Sequence, residues 1–395
     1  MDIVALQTAL SEQGLDGWLL YDFRGQNPTA VAVLGLEGRI LTRRFFYLVP
    51  REGEPTLLVH AIEQSQFPAA LPGRRVPYAS WRSLRDGLAA ALGALRPGAR
   101  IAMEYLPGGA IPTLSRVDGG TLELVRSLGP EVVSSGELVQ RFLCRLDRAQ
   151  VESHRRALLA IDAAKDAAFE RLFAAHRRGE TPKELELQAF LVDRFREADL
   201  ETDHAPIVAV NGHAADPHYA PSAATSAPVN PGDLVLVDLW ARGRGPRDVY
   251  ADITWVAFCG DRPPPLLERI FRVAADARDA GLAALERAFA EGRTLQGFEV
   301  DRVVRDRIEA AGFGDRFLHR TGHSIDTRVH GDGANLDDLE THDTRPLVPG
   351  LAFSIEPGIY LPDENLGVRT EIDVVLTEQG PRVFSPIQQE LVTPT

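Results

Sequence analysis

The chain has 395 residues, more than one ordinary hydrophobic core organises and enough for two domains. It is 44% hydrophobic and 25% charged, a soluble globular composition without low-complexity runs. Its 43 basic and 56 acidic side chains leave a formal charge of −13, which argues against nucleic acid or an anionic membrane surface as the main partner.

The opening MDIVALQTAL predicts a helix over residues 2–13. Its aspartate stands where a secretory signal carries basic residues, and no later apolar run approaches a membrane span, so a cytoplasmic protein is expected. Short apolar runs at 17–21 (GWLLY), 45–49 (FFYLV), 56–60 (TLLVH) and 100–103 (RIAM) read as strands, with a helix over 82–95 between the last two. None of the four runs contains an acid, so residues 1–148 are expected to form an α/β domain without an active site. A charge-rich helical segment then runs from Asp147 to Gly179. Thr181-Pro182-Lys183-Glu184 announces the next helix with an N-cap, a first-turn proline and a capping-box glutamate.

Beyond residue 205, strand-like runs fall at 206–210, 233–240, 251–258, 351–356 and 368–376, with helices over 264–291 and 297–311. A small-residue loop, NGHAADPHYAPSAATSAPVNPGD, separates the first two of those strands. Strands, then helices, then strands predict an α+β domain over 149–395 with a mostly antiparallel sheet. Cys144 and Cys259 lie far apart, in or beside apolar runs, and read as reduced core residues.

Five polar residues of this second half stand in places that usually hold apolar ones. Asp238 interrupts LVLVDLW, Asp252 opens ADITWVAF, His323 sits in RTGHSID, Glu356 sits in LAFSIEPGIY, and Glu371 lies in GVRTEIDVVL across a PDENLG turn. Any one alone is more often a salt-bridged or edge residue. Four carboxylates brought together without a cation would be forced to protonate in part by mutual repulsion. Two divalent metals remove the conflict, and oxygen-rich ligation with one imidazole favours manganese, with zinc or cobalt as alternatives. A paired-metal centre is hydrolase machinery. Asp373 shares the strand face of Glu371 and reads as a supporting or solvated acid, and Asp248 reads as a surface charge.

The ordered set VDLW, ADIT, TGHS, SIEPG and RTE resembles the pita-bread metallopeptidase family, which includes prolidases, aminopeptidase P and methionine aminopeptidases. The resemblance covers residues 150–395 through motifs and extends more weakly to 1–148, similar to the N-terminal domain of prolidases and creatinase. It implies that Asp238 chelates one ion, His323 and Glu356 bind the other, and Asp252 and Glu371 bridge. It implies that His218 and His330 contact the substrate and that a metal-activated hydroxide attacks the peptide bond, with Glu356 passing the proton to the departing amine. Arg369, and His213 beside His218, are further candidates for holding substrate, Arg369 through a carboxylate. The two-domain relatives imply an Xaa-Pro dipeptidase. Aminopeptidase P acting on longer peptides is the alternative, and a non-catalytic peptide-binding relative is more remote. A homodimer is expected by analogy. Departures from the family pattern are Ser324, Asp326, Gly331 and Gly333 in GHSIDTRVHGDG, Trp255 after DIT, and a long 241–249 loop expected to protrude and close the far side of the site.

Overall fold

The structure, a computed structural model, describes residues 2–394. Proximity of Cα atoms divides the chain into two compact units, Met1–Leu143 and Cys144–Thr395.

The first unit is built on a six-stranded sheet of β1 (Gly17–Asp22), β2 (Phe45–Pro50), β3 (Thr56–His60), β4 (Arg74–Tyr78), β5 (Arg100–Met103) and β6 (Glu131–Ser134), in the order β4-β3-β2-β1-β5-β6. The pairs β1–β2 and β2–β3 are antiparallel and the other three parallel. Its helices are α1 (Ile3–Glu12), α2 (Pro28–Leu34), α3 (Trp81–Gly93), α4 (Gly119–Ser127) and the single-turn α5 (Gly136–Val139). Asp2, Asn27, Ser80 and Asp118 cap the first four by accepting backbone N–H groups. Leu19, Phe46, Leu58, Leu88, Ile101 and Val125 are among the residues of one core. Buried acids do occur here, but they are partnered. Glu104, just beyond β5, accepts from Trp18 Nε1 (2.7 Å), Asn27 Nδ2 (2.8 Å) and Ser135 Oγ (3.1 Å).

The second unit opens with the long α6 (Arg148–Arg177), capped by Asp147 with Gln150 completing the capping box. α7 (Glu184–Glu197) follows, and it starts later than the sequence suggests. Lys183 takes the N-cap position and Glu186 receives the reciprocal bond, because Glu184 is drawn inward. The fully buried Glu184 carboxylate accepts from Val210 N and His213 Nδ1 on one oxygen, and from Tyr219 OH and Ala227 N on the other. One carboxylate thereby fastens both ends of the 211–227 loop.

The strands of this unit are antiparallel throughout. β7 (Leu200–Glu201), β8 (Ile207–Val210), β9 (Leu234–Gly243) and β10 (Ala251–Phe258) form one sheet. β11 (Ser324–Ile325), β12 (Ala352–Ile355), β15 (Ile372–Thr377) and β16 (Gly380–Arg382) form another, and β13 (Gly358–Leu361) pairs with β14 (Leu366–Arg369) as a hairpin. Leu158, Ile161 and Phe169 of α6 pack with Leu191 of α7 onto Val237 and Ile253. α8 (Pro265–Ala290) and α9 (Gly297–Ala310) pair with each other, and α8 rests on β14 and β16. This is the α+β, mostly antiparallel arrangement expected for the second half. The runs 351–356 and 368–376 do pair, but each is broken in two, after Ile355 and after Arg369, so Glu356 and Glu371 lie at the breaks rather than within a ladder. Cys144 and Cys259 are buried, and neither is in a disulfide.

Candidate metal centre

Strand register brings the acids of β9 and β10 together. Asp238 is paired with Thr254 and Asp252 with Trp240, so Asp238, Thr254 and Asp252 project from the same face as direct and diagonal neighbours. The backbone then ties the second sheet to the first. Glu371 N donates to Thr254 O at 3.2 Å, and Asp252 N donates to Asp373 Oδ2 at 2.7 Å. Asp373 is thus a buried anchor, and its role as a solvated acid falls away. His323 N donates to Ser354 Oγ (3.0 Å), while that hydroxyl donates to Glu356 Oε1 (3.0 Å). His323 Nδ1 lies 3.3 Å from its neighbour's carbonyl at Ser324, which leaves Nε2 facing Glu356 Oε1 at 3.4 Å and Asp252 Oδ2 at 3.6 Å.

All five expected ligands line one cavity of about 710 Å³, together with His218, His330 and Arg369. Asp252, His323 and Glu371 each offer a ligand atom within 4.8 Å of the others. Asp252 Oδ1 and Glu371 Oε1 are buried oxygens with no hydrogen-bond partner. Buried acceptors are seldom left so, and two carboxylates with open lone pairs beside a neutral imidazole nitrogen form a donor set that fits a divalent cation.

Electrostatics agree with that fit. Burial, and then the charges of Asp238 and Glu356, push the Asp252 carboxyl well above its usual range. Burial, and then Asp252, do the same to Glu371. Glu356 is different: burial raises it, but His323, His319 and Arg369 outweigh that and hold it below the usual value. Burial lowers His323, and burial with the neighbouring His323 lowers His330 to about 4. His330 stands edge-on to His323, with ring centroids 4.3 Å apart.

Two of the expected substrate groups have partners within the protein. Arg369 is buried and occupied: Nη2 bonds Asp238 Oδ2, Nη1 donates to Tyr360 OH at 3.0 Å, and Nε to Thr254 Oγ1 at 3.3 Å. It holds Asp238 instead of presenting a free fork to a carboxylate. His213 stacks on Tyr219 (4.2 Å) and binds Glu184, so it anchors the loop that presents His218. None of residues 241–249, the loop expected to protrude and close the far side of the site, is among the residues lining the cavity. β9 runs on to Gly243 and joins β7, and Asp248 turns inward, its Oδ2 accepting from Gly245 N at 2.9 Å. Trp255 points away from the site by strand alternation, its ring 3.4 Å from Lys165 Nζ.

Thr254, Ser354, Tyr360 and His319 escaped the sequence reading. His319 Nε2 meets Tyr360 OH at 2.7 Å, extending the chain of bonds through Arg369 to Asp238. Thr254 and Ser354 lie in the motifs ADIT and SIEPG, beside ligands already singled out, which was the one signal available.

An N-terminal α/β unit, an antiparallel second unit and five candidate ligands on one cavity fit the pita-bread metallopeptidase class. The sequence model of metallopeptidase family M24 matches residues 153–378, and the chain belongs to that family. It is 35% identical over 164 residues to "Uncharacterized peptidase YqhT" of Bacillus subtilis, covering 42% of each chain. It is 32% identical over 250 residues to "Xaa-Pro dipeptidase" of Lactobacillus delbrueckii subsp. lactis, covering 63% of each. Both matches span less than two thirds of the relative. The fold extends further: the crystal structure of dipeptidase PepE from Mycobacterium ulcerans superposes with a TM-score of 0.72 at 24% identity, over 99% of this chain and 96% of that one. Among the described residues no helix is long and apolar enough to cross a membrane.

Proposed function

We propose that this protein hydrolyses the Xaa-Pro bond of dipeptides, using two divalent ions held by Asp238, Asp252, His323, Glu356 and Glu371. The observation that carries the reading is the convergence of these five on one cavity, with an open buried oxygen on Asp252 and on Glu371. Similarity to an Xaa-Pro dipeptidase over 250 residues supports the substrate class. Bound ions would activate water near neutral pH and offset the charge that develops on the carbonyl oxygen.

The protein's own groups do the rest. Glu356, with its side chain 15% exposed and its carboxyl kept ionised, accepts the proton of the attacking water and returns it to the leaving nitrogen. His330 is neutral at pH 7, so one ring nitrogen can donate to the scissile carbonyl, and the exposed His218 on the same cavity is a second group for the peptide. Arg369 and Thr254 keep Asp238 and Glu371 in place through the bonds described above. A proline leaving group has no N–H, so a site that grips carbonyl and charge instead suits it. Manganese is the proposed ion on ligand chemistry. A cytoplasmic homodimer, with 1–148 as a prolidase-like N-terminal domain and 149–395 as the catalytic one, belongs to the same proposal.

The test is to strip the protein with a chelator, reload it with manganese, zinc or cobalt, and assay Ala-Pro beside Ala-Pro-Ala. Cleavage of Ala-Pro is expected. Cleavage of the tripeptide alone would replace the dipeptidase reading with aminopeptidase P, and inertness toward both with every ion would end the peptidase reading.

A further inference from the structure

A dipeptide carries a carboxylate one residue from its scissile bond, and the cavity wall is heavily acidic: Asp203 and Glu340 stand there besides the four carboxylates of the metal centre. A cation is needed to seat that carboxylate, and Arg369 is spent on Asp238, Tyr360 and Thr254. The other arginine of the cavity wall is Arg320, three residues before His323. We infer that Arg320 is the group that binds a carboxylate of the substrate.

Three observations support this. The Arg320 main chain is clamped on both sides: its N–H donates to Glu340 Oε1 at 3.1 Å, and its carbonyl lies 2.8 Å from His319 Nδ1. Its half-buried guanidinium, by contrast, has no hydrogen bond and no carboxylate within 4 Å among the described residues. Arg320 also lines the same cavity as His323 and His330. A fixed backbone carrying an uncommitted planar fork is the arrangement that bidentate carboxylate recognition requires. Two arginines that follow it in sequence are tied to acids, Arg345 to Asp343 and Arg328 to Asp332.

The inference deepens the proposed dipeptidase reading and rests on it for the identity of the ligand. The carboxylate has two sources, the C-terminus of the dipeptide or an acidic side chain before proline. Calorimetry on the manganese-loaded full chain would separate them, using uncleavable reduced-amide analogues of Ala-Pro, Ala-Pro amide and Asp-Pro amide. Wild type is expected to bind a carboxylate-bearing analogue about tenfold to a hundredfold more tightly than Ala-Pro amide, the range of a hydrogen-bonded charge pair. In Arg320→Gln that preference should collapse to within about twofold, with Arg320→Lys restoring part of it and the affinity for Ala-Pro amide unchanged in both. Loss of the acid-over-amide preference assigns the C-terminus, and loss of the Asp-over-Ala preference among amides assigns the side chain. Retention of both preferences in Arg320→Gln, or their absence from wild type, overturns the inference. Turnover is read separately: a wild type that shows the binding preference but cleaves no Ala-Pro removes the peptidase reading and leaves the Arg320 subsite standing.

Discussion

Thr254 stands between two charged side chains on the cavity wall. Its hydroxyl donates to Glu371 Oε2 at 2.7 Å and receives Arg369 Nε at 3.3 Å. Valine has the same shape without the hydroxyl, so Thr254→Val strands one donor and frees one carboxylate oxygen. A stability loss of about 1–3 kcal/mol is expected, the cost of leaving a buried donor unpaired. Metal affinity should fall about tenfold in a chelator competition as Glu371 loses its orientation, a typical penalty for disturbing the support of a ligand. Asp252→Asn should act with opposite signs on stability and on function. Asp252 is buried against Asp238 and Glu356, which already push it toward the neutral form. The amide removes that repulsion, so the metal-free variant should melt above metal-free wild type while losing the upward shift that manganese gives. A metal-free melting point lower than wild type would show that Asp252 is compensated by something other than a cation. Asp238, Asp252, Glu356 and Glu371 were legible because a carboxylate inside an apolar strand is costly and conspicuous. A threonine, serine or tyrosine in the same strand is ordinary, so the residues that aim the carboxylates could not be told from core.

The segment 323–333 is where the sequence departs most from its family, and the departures account for one another. Ser324 Oγ occupies the space above two glycines: a Cβ added at Gly333 would meet it at 2.4 Å, and one at Gly331 at 3.0 Å. Asp326 Oδ2 fills the remaining room over Gly331 at 2.7 Å, and Arg328 ties Asp326 to Asp332. Gly333→Ala should therefore destabilise the protein by about 1–3 kcal/mol, as overpacking does. Ser324→Gly in the same chain should recover most of that loss, giving a coupling energy in a double-mutant cycle of urea midpoints. Simple additivity would mean that the two positions do not share the space. Elements with a clear apolar pattern, such as β1, β2, β10 and α8, could be read within a residue or two. β4 could not: RRVPY is half exposed, carries a proline and forms the sheet edge, where neither alternation nor burial is enforced. The break after Ile355 is marked in the sequence by Pro357-Gly358, whereas the break after Arg369 carries no proline, glycine or other turn residue of that kind.

Each compact unit has its own hydrophobic core. One core is drawn from residues 19–132 and another from residues 157–259. The proposed ions touch only the second unit, so calorimetry should show metal acting on one transition. At a free-ion concentration about 100 times Kd, binding adds about 2.7 kcal/mol, which raises the melting point of a 250-residue unit by about 5–10 °C. The first unit offers an independent handle through pH. Asp16 is buried beneath Arg96, whose Nε donates to Oδ1 at 2.8 Å, while Arg100 N donates to Oδ2 at 2.9 Å. Chiefly through the Arg96 bond, and against the effect of burial, its carboxyl is held below the ordinary 3.8. A carboxyl lowered in the folded state contributes its stability above the unfolded value and loses it as pH falls through the folded one. The gap between wild type and Asp16→Asn in the metal-insensitive transition should therefore be full at pH 5 and shrink toward pH 3. Chelator should leave that gap untouched at either pH. A single transition that moves with both metal and Asp16 would mean that the two cores unfold as one cooperative body, with the metal centre stabilising the N-terminal unit as well as its own.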